Sequence, residues 1–224
     1  MAVLSFRPDE KFRKADINGY DVINIPLVRI VETEGVKLPE LTEFDGIAFT
    51  SATAARLFFR NYHEIDDKLA LFSIGESTTK QLMEYTKEPF TCRNSDSHGF
   101  AAFIADHKPK RILIPRGKTH SPTLNDELES IGISSVNLYL YEYEQLGQSL
   151  RIRDALKNER IPLVFTSSLE VRLFNGITEG KFVNNPSYPI GNTTNDTLKE
   201  YGYKNIHFEG KRNYRELIEF IFSK

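Results

Sequence analysis

The sequence Ile47-Ala48-Phe49-Thr50-Ser51 returns in altered form as Leu163-Val164-Phe165-Thr166-Ser167. The repeat continues from the segment 72–78, FSIGEST, into the segment 188–194, YPIGNTT, at the same offset of 116 positions (51 to 167). Aligned without gaps, segments 47–86 and 163–202 share 12 of 40 residues, whereas composition alone would give about two or three. An ungapped repeat of this length indicates a duplicated structural unit.

Apolar runs of strand length alternate with helical patterns along the chain. This alternation predicts the α/β class, with small parallel sheets covered by helices. A second match relates Phe6-Arg7-Pro8 to Pro115-Arg116-Gly117, so each half has a strand–helix–strand segment besides the repeated unit. Because about ten strands are many for one sheet, two lobes of about five strands are expected. The other predicted elements include a helix over 9–17, a strand over 20–30, a strand over 136–143, a strand over 206–208 and a helix over 214–222.

Composition excludes several classes of function. The net charge is −2, so no global basic field favours nucleic acid or an anionic membrane. No segment approaches 18 apolar residues, which excludes a membrane-spanning helix. The single cysteine, Cys92, cannot form an internal disulfide, and no Cys/His cluster has the spacing of a metal site. Since the N-terminus lacks the apolar run of a signal peptide, a reduced cytoplasmic protein is expected.

Hydroxyl residues and glycines follow the predicted strands of both copies. They form four turns: Thr50-Ser51, 75–78, 166–168 and 191–194. Ligands of parallel α/β sheets bind beyond the carboxyl ends of the strands, and helix N-termini there favour anions. Glycine at positions 75 and 191 would let the backbone approach a ligand closely. The same residue types are ordinary helix caps, and the two interpretations are compatible.

Five further positions, two arginines and three tyrosines, are candidates. Arg7 and Arg116 occupy equivalent strand ends, where each could pair with a carboxylate or form a surface salt bridge. Tyr139, Tyr141 and Tyr143 alternate along one predicted strand and are expected to share a face, although most such tyrosines only pack. No nucleophile elbow, phosphate loop or dinucleotide fingerprint is present.

The order of these motifs resembles the uroporphyrinogen-III synthase family over nearly the whole chain. The motifs are Arg-Pro after the first strand, Phe-Thr-Ser, Ile-Gly-x-x-Thr, Arg-Gly, a strand carrying Tyr141, a second Phe-Thr-Ser and a second Ile-Gly-x-Thr-Thr. The resemblance implies two flavodoxin-like lobes joined by two strands. Lobe one would comprise 1–30 plus 147–224, lobe two 37–142, and the connecting strands 31–36 and 143–146. The repeat alone is equally consistent with lobes that are continuous in sequence.

The resemblance also implies the reaction. The linear tetrapyrrole hydroxymethylbilane is closed to uroporphyrinogen III in haem biosynthesis, with loss of water and inversion of ring D through a spirocyclic pyrrolenine. Neither a metal nor an organic cofactor is implied. The substrate carries eight carboxylates, which suits turns lined by hydroxyls and helix N-termini. A monomer that contacts the preceding enzyme of the pathway transiently is implied as well.

Residue roles follow from the resemblance position by position. Tyr141 matches the family's tyrosine and would assist the departure of hydroxide. The expected substrate-binding residues, which would hold acetate and propionate groups, are Arg7, Thr50, Ser51, Gly75, Thr78, Arg116, Thr166, Ser167, Gly191, Thr193 and Thr194. Many members carry a second basic residue soon after Arg-Gly, where this chain has the segment 119–123, THSPT. Lys118 or His120 could substitute for it.

Two alternatives remain open at the level of sequence. The same duplicated fold could serve a non-catalytic protein that binds a small anion between two lobes. It could also serve a paralogue that has become a regulatory or interaction module. Matched hydroxyl residues at Thr78 and Thr194 favour an enzyme, although helix capping alone could preserve them.

Overall fold

A computed structural model describes residues 2–17, 19–62, 65–66, 68–86, 88–93, 96–157, 160–210 and 213–223. The chain divides into two compact units: unit 1 is Met1–Ile30 with Glu144–Lys224, and unit 2 is Val31–Tyr143. The lobe boundaries and connecting strands that the resemblance implies stay a prediction.

Short strands and helices alternate along both units. The strands are β1 (Val3–Ser5), β2 (Val22–Asn24), β3 (Val28–Glu32), β4 (Gly46–Phe49), β5 (Ala70–Ile74), β6 (Phe90–Cys92), β7 (Arg111–Gly117), β8 (Ser134–Gln145), β9 (Leu163–Phe165) and β10 (Ser187–Pro189). The α-helices are α1 (Ala52–Asn61), α2 (Glu76–Leu82), α3 (Ser97–Ala105), α4 (Thr123–Ser130), α5 (Ser149–Ala155), α6 (Ser168–Thr178), α7 (Asn192–Glu200) and α8 (Tyr214–Phe222). Short 3₁₀ helices cover Asp9–Lys11, Lys14–Asp16 and Leu41–Glu43.

Unit 1 contains a parallel sheet with the strand order β10-β9-β1-β2. Its core is aromatic, because the Phe6 ring centroid lies 5.1 Å from that of Phe165 and 4.6 Å from that of Phe174. All three side chains are fully buried. Within this sheet, β9 of the repeated unit pairs with the N-terminal strand β1.

The sheet of unit 2 has the order β3-β8-β7-β4-β5-β6. Strand β4 pairs in parallel with β5 on one side and β7 on the other. Buried residues Ala48, Phe72 and Ile112 form one core cluster with Phe100 of α3 and Leu128 of α4. The order β8-β7-β4-β5 corresponds to β2-β1-β9-β10 of unit 1, so the duplication extends to tertiary structure, and the predicted α/β class is confirmed.

Strands β3 and β8 run in opposite directions. Within unit 2 the Thr33 N–H donates to Leu140 O at 2.9 Å, and within unit 1 the Leu146 N–H donates to Leu27 O at 2.8 Å. The division between the units falls inside both strands.

Some predicted elements differ from those observed. The helix expected over 9–17 is two 3₁₀ helices, because this polar segment has no apolar stripe to bury. The strand expected over 20–30 is split into β2 and β3, since Pro26 cannot donate to a ladder. The strand expected over 206–208 is reduced to one bridge between Ser187 and Ile206. The helix expected over 214–222 is confirmed as α8.

None of the helices in the described ranges is long and apolar enough to cross a membrane.

Candidate active site

The hydroxyl turns of each unit follow neighbouring strands of that unit's sheet. In unit 2, β4 and β5 are paired in register at Phe49 and Ser73, so the turns after these strands lie at one edge. In unit 1, β9 and β10 are paired at Phe165 and Pro189 in the same way. Because the carboxyl ends of parallel strands share an edge, each unit gathers two of the predicted turns where such sheets bind ligands.

Ser51 connects the first turn of unit 2 to the predicted catalytic tyrosine. It is the N-cap of α1, and its Oγ accepts a hydrogen bond from the Ala54 N–H at 3.0 Å. The same Oγ lies 3.2 Å from Tyr141 Oη, a distance at which either hydroxyl can donate. Tyr141 is only 5% exposed. The structure therefore brings together two of the predicted site residues that are 90 positions apart.

The backbone around Gly117 makes room for the Tyr141 ring. A Cβ at Gly117 would lie 2.8 Å from Tyr141 Cε2, closer than carbon atoms pack. The β7–β8 register shifts at this point, from Arg116 opposite Tyr139 to Gly117 opposite Tyr141. Tyr139 is 38% exposed while Tyr141 is buried, so the tyrosines predicted to share a face differ in solvent exposure. The Arg-Gly motif could be recognised in the sequence, but the sequence did not indicate that its Gly117 leaves space for the Tyr141 ring.

Arg116 is buried rather than part of a surface salt bridge, and that predicted alternative is wrong. The side chain is 8% exposed and its guanidinium donates to neutral oxygens: Asn125 Oδ1 at 2.9 Å, Asn137 Oδ1 at 3.3 Å and Ser121 O at 3.3 Å. Burial lowers the pKa of Arg116, and the negative charges that Tyr139 and Tyr141 can carry oppose this shift. The two asparagines were not singled out in the sequence, because an amide has no distinctive pattern.

The two basic substitutes considered after the Arg-Gly motif are both engaged. Lys118 Nζ donates to Glu142 Oε2 at 3.1 Å, and both side chains are about half exposed. His120 Nδ1 lies 3.0 Å from Lys118 O, and its ring centroid is 5.5 Å from that of Tyr139. Neither Lys118 nor His120 is buried by these contacts.

The second turn of unit 2 begins at Gly75, whose φ of 83° is in the region that favours glycine. Thr78 follows in α2 and is 3% exposed, with its N–H donating to Gly75 O at 3.1 Å. A hydroxyl pair, Ser73 Oγ and Thr79 Oγ1 at 2.9 Å, lies at the end of β5 and the start of α2. These residues form a compact polar turn next to that of Thr50 and Ser51.

In unit 1 the equivalent of the Thr50 turn is occupied by a carboxylate of the protein itself. Glu170 accepts hydrogen bonds from the Thr166 N–H at 2.6 Å and from Thr166 Oγ1 at 2.7 Å. Ser167 is the N-cap of α6 and accepts from the Glu170 N–H at 3.2 Å. The spacing of Ser167 and Glu170 is the capping-box signature, which could have identified Glu170 from sequence.

Glu170 is 2% exposed, and burial raises the pKa of its carboxyl. The hydrogen bonds from Thr166 and the positive charges of Arg7 and Lys11 oppose the shift. The Arg7 guanidinium also lies 4.1 Å from the centroid of the Tyr214 ring, a cation–π contact. The predicted site residues Arg7, Thr166 and Ser167 thus belong to one cluster around a buried carboxylate.

The last predicted turn differs from its counterpart at Gly75. Gly191 has a φ of −165°, an extended conformation open to any residue, so its backbone angle does not require glycine. The expected close approach of a ligand to this backbone stays a prediction. Thr194 is 4% exposed, whereas Thr193 is exposed. Thr193 O accepts hydrogen bonds from Ser168 Oγ at 3.2 Å and Thr197 Oγ1 at 2.9 Å, which tie the start of α6 to α7.

Comparison with solved structures supports this architecture. Uroporphyrinogen-III synthetase from Helicobacter pylori 26695 has a TM-score of 0.69 at 20% identity, covering 100% of this chain and 99% of that one. A mutant uroporphyrinogen III synthase from the extremely thermophilic bacterium Thermus thermophilus has a TM-score of 0.66 at 15% identity, covering 100% and 98%. At such identities the likeness establishes the fold alone.

Sequence comparison establishes the family. The uroporphyrinogen-III synthase of Chlorobaculum parvum is 26% identical over 208 residues, covering 86% of this chain and 84% of the relative. The model of the family described as uroporphyrinogen-III synthase HemD matches residues 10–219, which is most of the chain. The chain therefore belongs to the uroporphyrinogen-III synthase family, cyclising lyases of haem biosynthesis.

Proposed function

We propose that the protein closes hydroxymethylbilane to uroporphyrinogen III, with loss of water and inversion of ring D, and that Tyr141 of unit 2 carries the first step. Family membership supports the reaction. The observation that supports the site is the contact of Tyr141 Oη with Ser51 Oγ at 3.2 Å, at the ligand-binding edge of a parallel sheet. No observation favours a non-catalytic anion-binding protein or a regulatory module.

Tyr141 is proposed as the acid that assists the departure of hydroxide. The hydroxymethyl carbon ionises readily because the adjacent pyrrole nitrogen supplies an electron pair, so modest proton donation to the leaving oxygen is sufficient. The remaining task is to hold the terminal rings in the orientation that inverts ring D, which is catalysis by positioning. A site without a nucleophile or a base of the usual kinds is consistent with this chemistry.

Thr50 is proposed to hold one carboxylate of the substrate. Its N–H and hydroxyl make no hydrogen bond to any residue within the described ranges. The matching groups of Thr166 hold the Glu170 carboxylate at 2.6 and 2.7 Å. Position 54, which matches Glu170 in the repeat, is an alanine. A substrate carboxylate can therefore take at Thr50 the two hydrogen bonds that Glu170 takes at Thr166.

The remaining predicted residues are proposed with narrower roles. The turns at Gly75–Thr78 and Gly191–Thr194 would hold further acetate and propionate groups through hydroxyls and backbone N–H groups. Arg116 would act through its charge near Tyr141, because its guanidinium is held by Asn125 and Asn137. Arg7, Thr166 and Ser167 would keep the unit 1 turn in shape around Glu170.

The wider setting is proposed from the family resemblance. The protein would act as a monomer in the cytoplasm and meet the preceding enzyme of the pathway only transiently. Sedimentation of the purified protein over a range of concentrations tests the first point. A mass that rises with concentration towards that of a dimer would contradict it.

The decisive experiment supplies hydroxymethylbilane and separates the uroporphyrin isomers after oxidation. Spontaneous closure of hydroxymethylbilane gives isomer I. In the presence of the protein, isomer III is expected to be the main product instead. A product mixture identical to that of the protein-free control would contradict the proposed function. A non-catalytic anion-binding protein would bind uroporphyrin without changing the isomer ratio.

Two variants test the residues without testing the function. Tyr141→Phe and Thr194→Ala are expected to lower turnover while the circular dichroism spectrum stays that of the wild type. Near-normal rates in both variants would remove these side chains from the site and leave the reaction itself standing.

A further inference from the structure

The Ser51 hydroxyl is engaged at both ends inside unit 2. Its oxygen accepts from the Ala54 N–H at 3.0 Å, at the N-terminus of α1, and lies 3.2 Å from Tyr141 Oη. Neither contact is needed by a serine that serves only to bind a substrate carboxylate. The sequence-based prediction of Ser51 as a substrate-binding residue therefore leaves its main contact unexplained.

Departure of hydroxide changes which group can donate in this contact. As Tyr141 gives its proton to the leaving oxygen, the carbon–oxygen bond breaks, water leaves, and the pyrrole nitrogen's electron pair forms the azafulvene cation. The phenolate left on Tyr141 has no proton, so only the Ser51 hydroxyl can donate between the two. The cyclised tetrapyrrole later loses one proton, which restores the phenol and balances the step.

The surroundings make Ser51 a good donor at that moment. The hydrogen bond from Ala54 N–H polarises the Ser51 hydroxyl, and the N-terminus of α1 adds positive potential. Hydrogen bonds to a charged partner are about twice as strong as those between neutral groups. The contact thus strengthens as negative charge develops on Tyr141, which is what transition-state stabilisation requires.

We propose that Ser51 is a positioning residue for Tyr141, which holds the phenol in place and donates a hydrogen bond to the phenolate as hydroxide departs. This inference rests on the proposed function. It assigns Ser51 to the rate of the chemical step rather than to the affinity for substrate.

Kinetics of four variants test the proposal: Ser51→Ala, Ser51→Thr, Tyr141→Phe and the double variant Ser51→Ala/Tyr141→Phe. Loss of a hydrogen bond to a charged group is expected to lower kcat of Ser51→Ala about tenfold, with KM unchanged within a factor of about two. Ser51→Thr keeps the hydroxyl and is expected to recover most of the rate. Tyr141→Phe is expected to lose about 100-fold, and the double variant no more than that.

A matched control separates this role from capping. Asp96 is the N-cap of α3 in the same unit and accepts from the Gly99 N–H at 2.7 Å. Asp96→Ala and Ser51→Ala each remove one cap and are expected to lower Tm by about 2–4 °C. Only Ser51→Ala is expected to lower kcat. An equal fall of kcat in both variants, or a rise of KM alone in Ser51→Ala, would overturn the proposal.

A readout independent of activity keeps this inference separate from the proposed function. In protein labelled with [¹³Cζ]tyrosine, the resonance of Tyr141 is identified by its loss in Tyr141→Phe. Its chemical shift is expected to change in Ser51→Ala, to return towards that of the wild type in Ser51→Thr, and to stay constant in Asp96→Ala. A Tyr141 shift that does not respond to Ser51→Ala contradicts the contact, whatever the isomer assay shows.

Discussion

The two Phe-Thr-Ser turns carry the same tripeptide and the same cap but hold different partners. In unit 1 the Thr166 N–H and hydroxyl are taken by the buried Glu170 carboxylate. In unit 2 the residue equivalent to Glu170 is Ala54, and Ser51 contacts Tyr141 instead. One copy is thus completed by a carboxylate of the chain itself, whereas the other is the copy at which we propose that a substrate carboxylate and Tyr141 act. The two turns thus share one sequence motif and differ at the equivalent positions Ala54 and Glu170.

A carboxylate introduced at position 54 is expected to have the largest effect on substrate binding. Ala54→Glu would place in unit 2 the carboxylate that unit 1 already has, so it would compete with the substrate for Thr50. Loss of charge-assisted hydrogen bonds predicts a rise in KM of about 10- to 100-fold. Because Ala54 is fully buried, Ala54→Gln serves as a control of similar size without charge. An equal rise in KM for both variants would point to steric blockage instead.

Emptying the closed turn should affect stability rather than catalysis. Glu170→Ala removes the acceptor of the Thr166 N–H and hydroxyl and leaves a cavity beside the charge of Arg7. The free energy of unfolding is expected to fall by about 1–3 kcal/mol. Urea unfolding followed by circular dichroism measures it. A loss below about 0.5 kcal/mol, the usual range for surface substitutions, would show that Glu170 does not hold the turn.

Removing the hydroxyl from Thr50 and from Thr166 in turn tests whether the two threonines have different roles. Thr50→Val and Thr166→Val are nearly isosteric changes that leave the backbone N–H groups in place. Thr50→Val is expected to raise KM about tenfold, because the substrate carboxylate loses a charge-assisted hydrogen bond. Thr166→Val is expected to lower stability more and to change KM less than Thr50→Val. The reverse order of the two KM effects would assign the substrate carboxylate to unit 1.

The smallest expected effect is a pH dependence of stability. Burial raises the pKa of Glu170 in the folded protein, while its value in the unfolded chain is about 4.3. The folded state then binds the proton more tightly, so stability falls as pH rises from the unfolded pKa through the folded one. Wild type is therefore expected to lose stability relative to Glu170→Gln as pH increases over this window.

Urea unfolding of both proteins at a series of pH values measures that difference. Glu179→Gln is a control of opposite sign, because Lys181 lowers the pKa of the exposed Glu179 carboxyl. Wild type should gain slightly on this variant as pH rises. A stability difference between wild type and Glu170→Gln that does not change with pH would contradict the raised pKa.

Much of the fold could be predicted from the sequence, because it follows from local signals. Alternating strand and helix patterns with a repeat indicated the α/β class, and the bounds of α8 agree with the prediction. Errors occurred where such signals are weak, as in the polar segment 9–17, or where one residue interrupts a pattern, as Pro26 does. The burial of Arg116 could not be predicted, since the asparagines that hold it come from two other elements.

The residues that end the repeated strands and cap the next helices can be identified from local sequence, because a cap depends on a side chain and the backbone three residues away. The partner that each turn contacts depends on tertiary packing. Tyr141 reaches Ser51 because β8 lies beside β7, and β7 beside β4, with Gly117 leaving space for the ring. Contacts between distant segments depend on how the whole sheet packs, and no local pattern records them. The same tripeptide therefore became a self-filled turn in one unit and part of the candidate active site in the other.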